Sequence, residues 1–369
     1  MTVRVTGKVV TPTGVIRQGC VEITGDRIRA VAEYPSFRDG HWIVPGFVDM
    51  HTHGGGGHTF TTGDAEQARE AATFHLRHGT TTLLASLVSA PFALMRDATA
   101  AYRPLVDAGV LAGIHFEGPY LSADRCGAQN PEFLRDPSTD ELAELIEVGA
   151  GAVRMVTLAP ERDGALDAIK LLAAQGVVAA VGHTDATWEQ TRAAVAAGAS
   201  VGTHLFNGMR PVHHREPGPV VALLDAPNVV CELVADGVHL HDGMLGFAAS
   251  VAGPERAALI TDAMAAAGMP DGEYELGGQA VTVADGVARL TGGGAIAGST
   301  LTMDAALRHA VAAGIALPDA CRMVATTPAR AIGLGDTVGA LQTGLRADLV
   351  VLDDDLNVVR VMRAGSWVE

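Results

Sequence analysis

One stretch constrains the fold of this 369-residue chain more than any other: residues 44–57, reading VPGFVDMHTHGGGG. A short apolar run bounded by turn residues has the pattern of a strand buried on both faces, as strands of parallel sheets are. The run ends in His51 and His53, and alternate side chains of a strand share a face. Two imidazoles on one face at the carboxyl end of a strand suit one divalent cation. The four glycines that follow let the backbone turn sharply and leave space beside the pair. A strand that merely ends in two polar residues looks the same locally, so the rest of the chain must decide.

Beyond residue 57, strand-like and helix-like segments alternate. A helix is expected over 65–78, a strand over 80–88, a helix over 92–107 and a strand over 110–116. Further strands are expected at 153–158, 177–181, 200–205, 229–234 and 258–261. Counted from residue 44 these make eight, each followed by helical or loop sequence, which is the α/β pattern of a (β/α)8 TIM barrel. Residues 271–294 interrupt it: they are Gly-rich, alternate at Val281-Thr282-Val283, and read as an inserted hairpin. The two ends of the chain differ from the middle. Short β-like segments at 4–10, 20–24 and 27–32 are separated by turn signals, and 347–353 and 357–364 have the same character. Neither end can bury a sheet face alone. The expected division is therefore a small β-sandwich domain from 1–43 plus 335–369, and a barrel over 44–334.

Composition agrees with that plan. Apolar residues make up 48% and charged residues 18%, enough for a large core, and with aromatics at 4% the aliphatic residues must fill it. The net charge of −16 argues against nucleic acid or an anionic membrane as partner. An anionic small substrate would need a local pocket of positive charge. Cys20, Cys126, Cys231 and Cys321 lie far apart with no CxxC pair, a pattern of a reduced cytoplasmic protein. The N-terminus lacks a signal-peptide profile, and no uncharged apolar run approaches the ~20 residues of a membrane helix. A soluble cytoplasmic protein is the expectation.

The ends of the expected strands carry the chemistry. Strand three ends in Glu117, strand five leads into His183, strand six into His204, strand seven into Asp236 to His239, and strand eight into Asp262. In a barrel of this kind the carboxyl ends of the strands hold the active site. His51, His53, Glu117, His183, His204 and Asp262 should therefore converge from five strands. Four imidazoles and two carboxylates can hold one or two divalent ions and supply a proton acceptor. The other histidines read differently. His75, His78 and His309 fall on expected helices and His41 precedes the barrel, so surface or packing roles are expected. For His115, two residues before Glu117 on the same face, packing and support of a metal ligand are equally open.

These motifs give the chain a resemblance to the amidohydrolase superfamily and, within it, to the family of N-acetylglucosamine-6-phosphate deacetylases. It is carried by PGFVDMHTHG, HFEGPYL, RMVTLAPE, VGHTDA, THLFNGM, REPG, ADGVHL, ITDAM and AGSTLTMDAAL, and by the closing GALQTGLRADLVVLD. HxH marks only the superfamily, whereas HFEGP with THLFNGM and ADGVHL points to the deacetylases. The resemblance implies metal-dependent removal of the N-acetyl group from N-acetylglucosamine 6-phosphate, in amino-sugar catabolism and cell-wall recycling.

The resemblance also implies roles. Glu117, His183 and His204 would hold the principal metal, and His51 and His53 a second ion that Glu117 bridges. Asp262 would take a proton from water and deliver it to the leaving amine. Asn207, Gly208, Arg215 and His239 would bind the sugar phosphate, and a homodimer is implied. Imidazole and carboxylate ligands suit zinc and iron(II) alike, with zinc the first expectation. Gln129 stands where family members often have a histidine that helps polarise the scissile carbonyl; it can donate a hydrogen bond but carries no charge.

Three rivals stand beside this reading. A hydantoinase-like enzyme bridges its metals through a carboxylated lysine, but only Lys8 and Lys170 exist here, neither on strand four. A deaminase of the same fold wants a glutamate just after a ligand histidine, where Thr184-Asp185-Ala186 follow His183. A non-catalytic sugar-phosphate-binding module would be expected to have lost some ligands, and none is missing. An amidohydrolase acting on a related N-acyl amino sugar phosphate remains the nearest alternative.

Overall fold

The computed structural model describes residues 2–36, 40–292 and 294–369. Eight parallel strands form one sheet in strict chain order: Phe47–Asp49, Thr80–Leu87, Gly113–Glu117, Val153–Leu158, Val178–Val181, Val201–Gly202, Val230–Val234 and Ala257–Ile260. Nearly every residue in them is buried, because one face fills the barrel and the other meets the helical ring. Burying one aliphatic side chain contributes about 1.5–3 kcal/mol, so aliphatic residues suffice for a core poor in aromatics.

The first and last strands complete the ring at their carboxyl ends. The Asp262 amide donates to the His51 carbonyl at 3.0 Å and the His53 amide to the Ala263 carbonyl at 2.7 Å. The Thr261 hydroxyl donates to Asp49 at 2.5 Å. The closure therefore runs through the residues that the sequence marks as a site.

The helices follow their sequence signals. Ala65–Arg77 opens on Asp64, whose side chain accepts from the Glu66 and Gln67 amides, and it buries Ala68, Ala71, Ala72 and His75. His75 thus has the packing role expected of it, its Nε2 hydrogen-bonded to the Gly54 carbonyl at 2.8 Å. Phe92–Asp107 has the expected ends. Strand six is shorter than expected, two residues instead of six, because the chain leaves the extended conformation at His204.

The chain ends form a seven-stranded sheet from Thr2–Thr11, Gly14–Thr24, Arg27–Glu33, Trp42–Pro45, Leu349–Leu352, Val358–Arg363 and Ser366–Trp367. It curls on itself: the Ile28 amide reaches the Leu345 carbonyl at 2.9 Å and the Ala347 amide the Asp26 carbonyl at 2.7 Å. Its two halves then enclose Val9, Val21, Ile43, Leu349 and Met362. Positions 1 and 37–39 of the expected terminal domain lie outside the described residues.

The hairpin expected over 271–294 is instead a three-stranded antiparallel sheet, Gly272–Leu276, Gln279–Ala284 and Val287–Leu290, with position 293 outside the described residues. Two tight turns produce it. Gly277-Gly278 and Asp285-Gly286 all have positive φ, as two-residue hairpin loops need. Its apolar face packs Leu276, Val281 and Val283 against Val88 and Met264 beside the barrel mouth.

Candidate metal centre

At the carboxyl ends of the barrel strands two triads of side chains that could hold a metal ion lie side by side: His51, His53 and Asp262, and Glu117, His183 and His204. All six are buried. Three of them hold a backbone that L-residues seldom adopt, with φ of 46° at His183, 25° at His204 and 49° at Asp262. Each such conformation costs on the order of 1–3 kcal/mol and persists where surrounding contacts over-determine it. Gly208, with φ 58°, fits tightly against this arrangement: a Cβ there would lie 2.8 Å from Nδ1 of His183.

The rings are fixed from behind. Nδ1 of His51 meets Glu232 at 3.0 Å, that of His53 meets the Ser86 carbonyl at 3.1 Å, and that of His183 meets the Arg125 carbonyl at 2.8 Å. Those acceptors place one proton on Nδ1 and turn each Nε2 toward the centre, where it can take an ion or a second proton. There, Nε2 of His51 lies 3.2 Å from that of His53, and Nε2 of His183 lies 3.0 Å from that of His204. Bare lone pairs do not face each other at such distances unless a cation or a proton lies between them. Tetrahedral ligands about 2.1 Å from a metal sit about 3.4 Å apart, so the spacing fits a divalent ion.

Glu117 joins the two triads. One oxygen lies 2.9 Å from Nε2 of His204 and 3.0 Å from that of His183, and the other lies 3.2 Å from Nε2 of His53. Asp262 approaches His53 at 3.3 Å and His51 at 3.6 Å. Burial opposes charge on these rings. Glu232 and Glu117 nevertheless raise His51 well above the usual histidine range, and Asp262 and Glu117 raise His53 to about 9. Burial likewise works against ionised Glu117 and Asp262, but the neighbouring histidines hold both carboxyls well below their usual range. The cluster attracts positive charge.

A cavity of about 240 Å³ opens in front of the triads. Gln129, Asn207, Gly208 and His239 line it together with ligand residues, while Val88, Leu276 and Ile296 form an apolar wall. His51 is fully buried behind it. His239 donates from Nδ1 to Asp236 at 2.7 Å and turns Nε2 toward Asp262, 3.8 Å away. Gln129 is not free to reach outward: its carbonyl oxygen accepts from the Ser89 amide at 2.7 Å, and its amide donates to Glu117 at 2.6 Å.

Arg215 differs from its expectation. It is exposed, its guanidinium 2.9 Å from the His214 ring, and it lines a separate surface hollow with Trp188 and Arg210. The loop leaves the cavity at Arg210, which is tied to Asp185 at 2.6 Å, and carries Arg215 outward. Within one chain Arg215 and His239 do not meet in the cavity.

Other supporting residues escaped the sequence reading. Glu232 is a fully buried carboxylate in the middle of strand seven, and Glu161 accepts from the Thr184 hydroxyl at 2.5 Å and the Asp185 amide at 2.6 Å. The signal for Glu232 was present: a lone acid inside the apolar run VVCELV. His115 bonds the hydroxyls of Ser86 and Thr157, both at 2.9 Å, and packs edge-on against His51. Lys8 and Lys170 pair with Asp354 and Asp167, so no lysine reaches the centre.

A (β/α)8 barrel with two adjoining histidine–carboxylate triads at its strand ends has the plan of a metal-assisted hydrolase. The chain belongs to the amidohydrolase family, whose model matches residues 42–368. A solved deacetylase from Mycobacterium smegmatis, in complex with N-acetyl-D-glucosamine-6-phosphate, is 49% identical with a TM-score of 0.96, and 99% of each chain is covered. The N-acetylgalactosamine-6-phosphate deacetylase of Escherichia coli O157:H7 is 42% identical over 336 residues, covering 89% of this chain and 88% of that one. The N-acetylglucosamine-6-phosphate deacetylase of Bacillus subtilis (strain 168) is 34% identical over 380 residues, covering 97% and 94%.

Proposed function

We propose that this protein hydrolyses the N-acetyl group of N-acetylglucosamine 6-phosphate, giving glucosamine 6-phosphate and acetate. The observation that carries the reading is Asp262 standing in one of two triads joined by Glu117, at a cavity large enough for a small polar substrate. Glu117, His183 and His204 would hold one divalent ion, zinc or iron(II), and His51 and His53 with Asp262 a second. Bound there, such an ion polarises an amide carbonyl and lowers the pKa of water toward about 7. Asp262 takes the proton from the attacking water and gives it to the departing amine nitrogen, which leaves as a neutral amine. Asn207 and the Gly208 backbone face the sugar, and His239, held by Asp236, faces both sugar and Asp262. Gln129 acts through Glu117, whose orientation its amide fixes.

The galactose epimer is the second reading, supported by the 42% identity to an enzyme named for it. A homodimer belongs to the proposal. Val238, Met244, Phe247 and Val251 expose an apolar strip beside the loop of His239, which a second copy would cover. Four unpaired cysteines and the lack, among the described residues, of any helix long and apolar enough to cross a membrane accord with a cytoplasmic location.

The test is acetate release from both 6-phosphates by purified protein of known metal content. Activity on N-acetylglucosamine 6-phosphate, lost on chelation and restored by added ion, is expected. Full activity in protein shown by elemental analysis to be free of metal would overturn the reading.

A further inference from the structure

Glu232 lies in the middle of strand seven with no exposed surface, and the reaction as written does not use it. One of its oxygens accepts twice, from Nδ1 of His51 at 3.0 Å and from the backbone amide of His204 at 3.1 Å. Its other oxygen is buried without a hydrogen-bond partner. A buried carboxylate with one oxygen unpaired is costly, and the bonds to the two groups it does bind offset only part of that cost. Those two groups belong to different triads. Glu232 holds the ring of one ligand and only the backbone of the other, whose own Nδ1 has no partner.

We propose that Glu232 is a positioning residue for the ion held by His51, His53 and Asp262. By accepting the hydrogen bond from Nδ1–H of His51 it fixes the tautomer that leaves Nε2 free to ligate, and that bond makes Nε2 a stronger donor. The same oxygen pins strand six at His204, so the two triads keep their spacing. The effect is unequal, because a ring without its acceptor can change tautomer and turn, whereas a backbone amide cannot turn away from its neighbours. This inference rests on the two-ion reading above.

The experiment compares the parent chain with Glu232→Leu and Glu232→Gln. Each is stripped of metal and titrated with zinc against a chromogenic chelator, with stoichiometry checked by elemental analysis. The parent should bind two ions. Glu232→Leu should bind the ion of His51, His53 and Asp262 ten- to hundredfold less tightly, the range seen when such outer partners are removed, and the ion of Glu117, His183 and His204 within about threefold of the parent. Glu232→Gln can place its carbonyl oxygen where both donors still reach it, so it should fall between parent and Glu232→Leu. If Glu232→Leu fails to fold, Glu232→Gln decides: a selective loosening of one ion supports the proposal. Two ions held as in the parent, or both loosened equally in a folded variant, would overturn it and leave Glu232 a structural tie. A parent that binds fewer than two ions would overturn the two-ion reading itself, and this inference with it.

Discussion

Asp262 shows how one residue is prepared by its neighbours. Burial alone would raise its carboxyl, yet the hydrogen bond from His53 and the charge on His51 and His53 hold it well below the usual carboxylate range in metal-free protein. Asp262→Asn keeps the size and removes the basic group. Turnover should fall about 10²–10⁴-fold while most of the metal stays bound. Steady-state rates within a few-fold of the parent would exclude Asp262 as the proton carrier. The histidines have their own pH signature in metal-free protein. The folded-state pKa of His53 lies near 9, above its ordinary 6.5, so its protonated form stabilises fully below about 6.5. That contribution is lost as pH rises through about 9. An incoming ion must displace the same protons, so metal affinity should rise with pH across this window and binding should release protons. Calorimetry in two buffers of different ionisation enthalpy measures the release; none at pH 7 would mean the rings are already neutral.

Among the elements, the join between Trp42–Pro45 and Phe47–Asp49 carries the most consequence. The first belongs to the terminal sheet and the second opens the barrel and leads into His51, with Gly46 between them. A Cβ on Gly46 would lie 2.8 Å from Cγ2 of Thr81 and 2.9 Å from Cβ of Asp348. Asp348 cannot yield easily, since the Arg346 guanidinium binds its carboxylate and the Gly46 amide donates to its carbonyl at 3.0 Å, and Thr81 is buried on strand two. Overpacking of this kind costs about 1–3 kcal/mol. Gly46→Ala should lower the urea midpoint by a corresponding amount without changing the slope. An unchanged midpoint would show that the join has room to spare. The three-stranded insertion teaches a related point. Its alternation was visible in sequence, but two strands and three differ only by whether Asp285-Gly286 makes a second tight turn.

At the scale of the molecule, the chain is strongly acidic, with a net charge of −16, and must still admit a phosphorylated sugar. His239 faces the cavity, but Arg215 stands on an exposed loop outside it. A second copy that covers the apolar strip at Val238 and Phe247 is the proposed means of completing the phosphate site. Arg215→Ala should then lower kcat/KM for the 6-phosphate at least about tenfold, since a charge-assisted hydrogen bond contributes roughly 1.5–3 kcal/mol. Hydrolysis of unphosphorylated N-acetylglucosamine should barely change. Equal losses on both sugars would mean that Arg215 supports the fold instead, and a monomer in sedimentation would remove the proposed partner.

The sequence by itself determined the barrel and picked out the six residues that the fold gathers into two triads, for a physical reason. Strand and helix periods are local, and a polar residue closing an apolar strand stands out against so aliphatic a chain. What only the tertiary structure decided depends on contacts between distant segments. That Glu117 joins the two triads, that Gln129 spends its amide on Glu117, and that His183, His204 and Asp262 bend into left-handed backbone all follow from packing among strands far apart in the chain. Glu232, distant in sequence from both groups it binds, belongs with them. Its neighbours in the chain showed an acid out of place, and only the closed barrel shows what it holds.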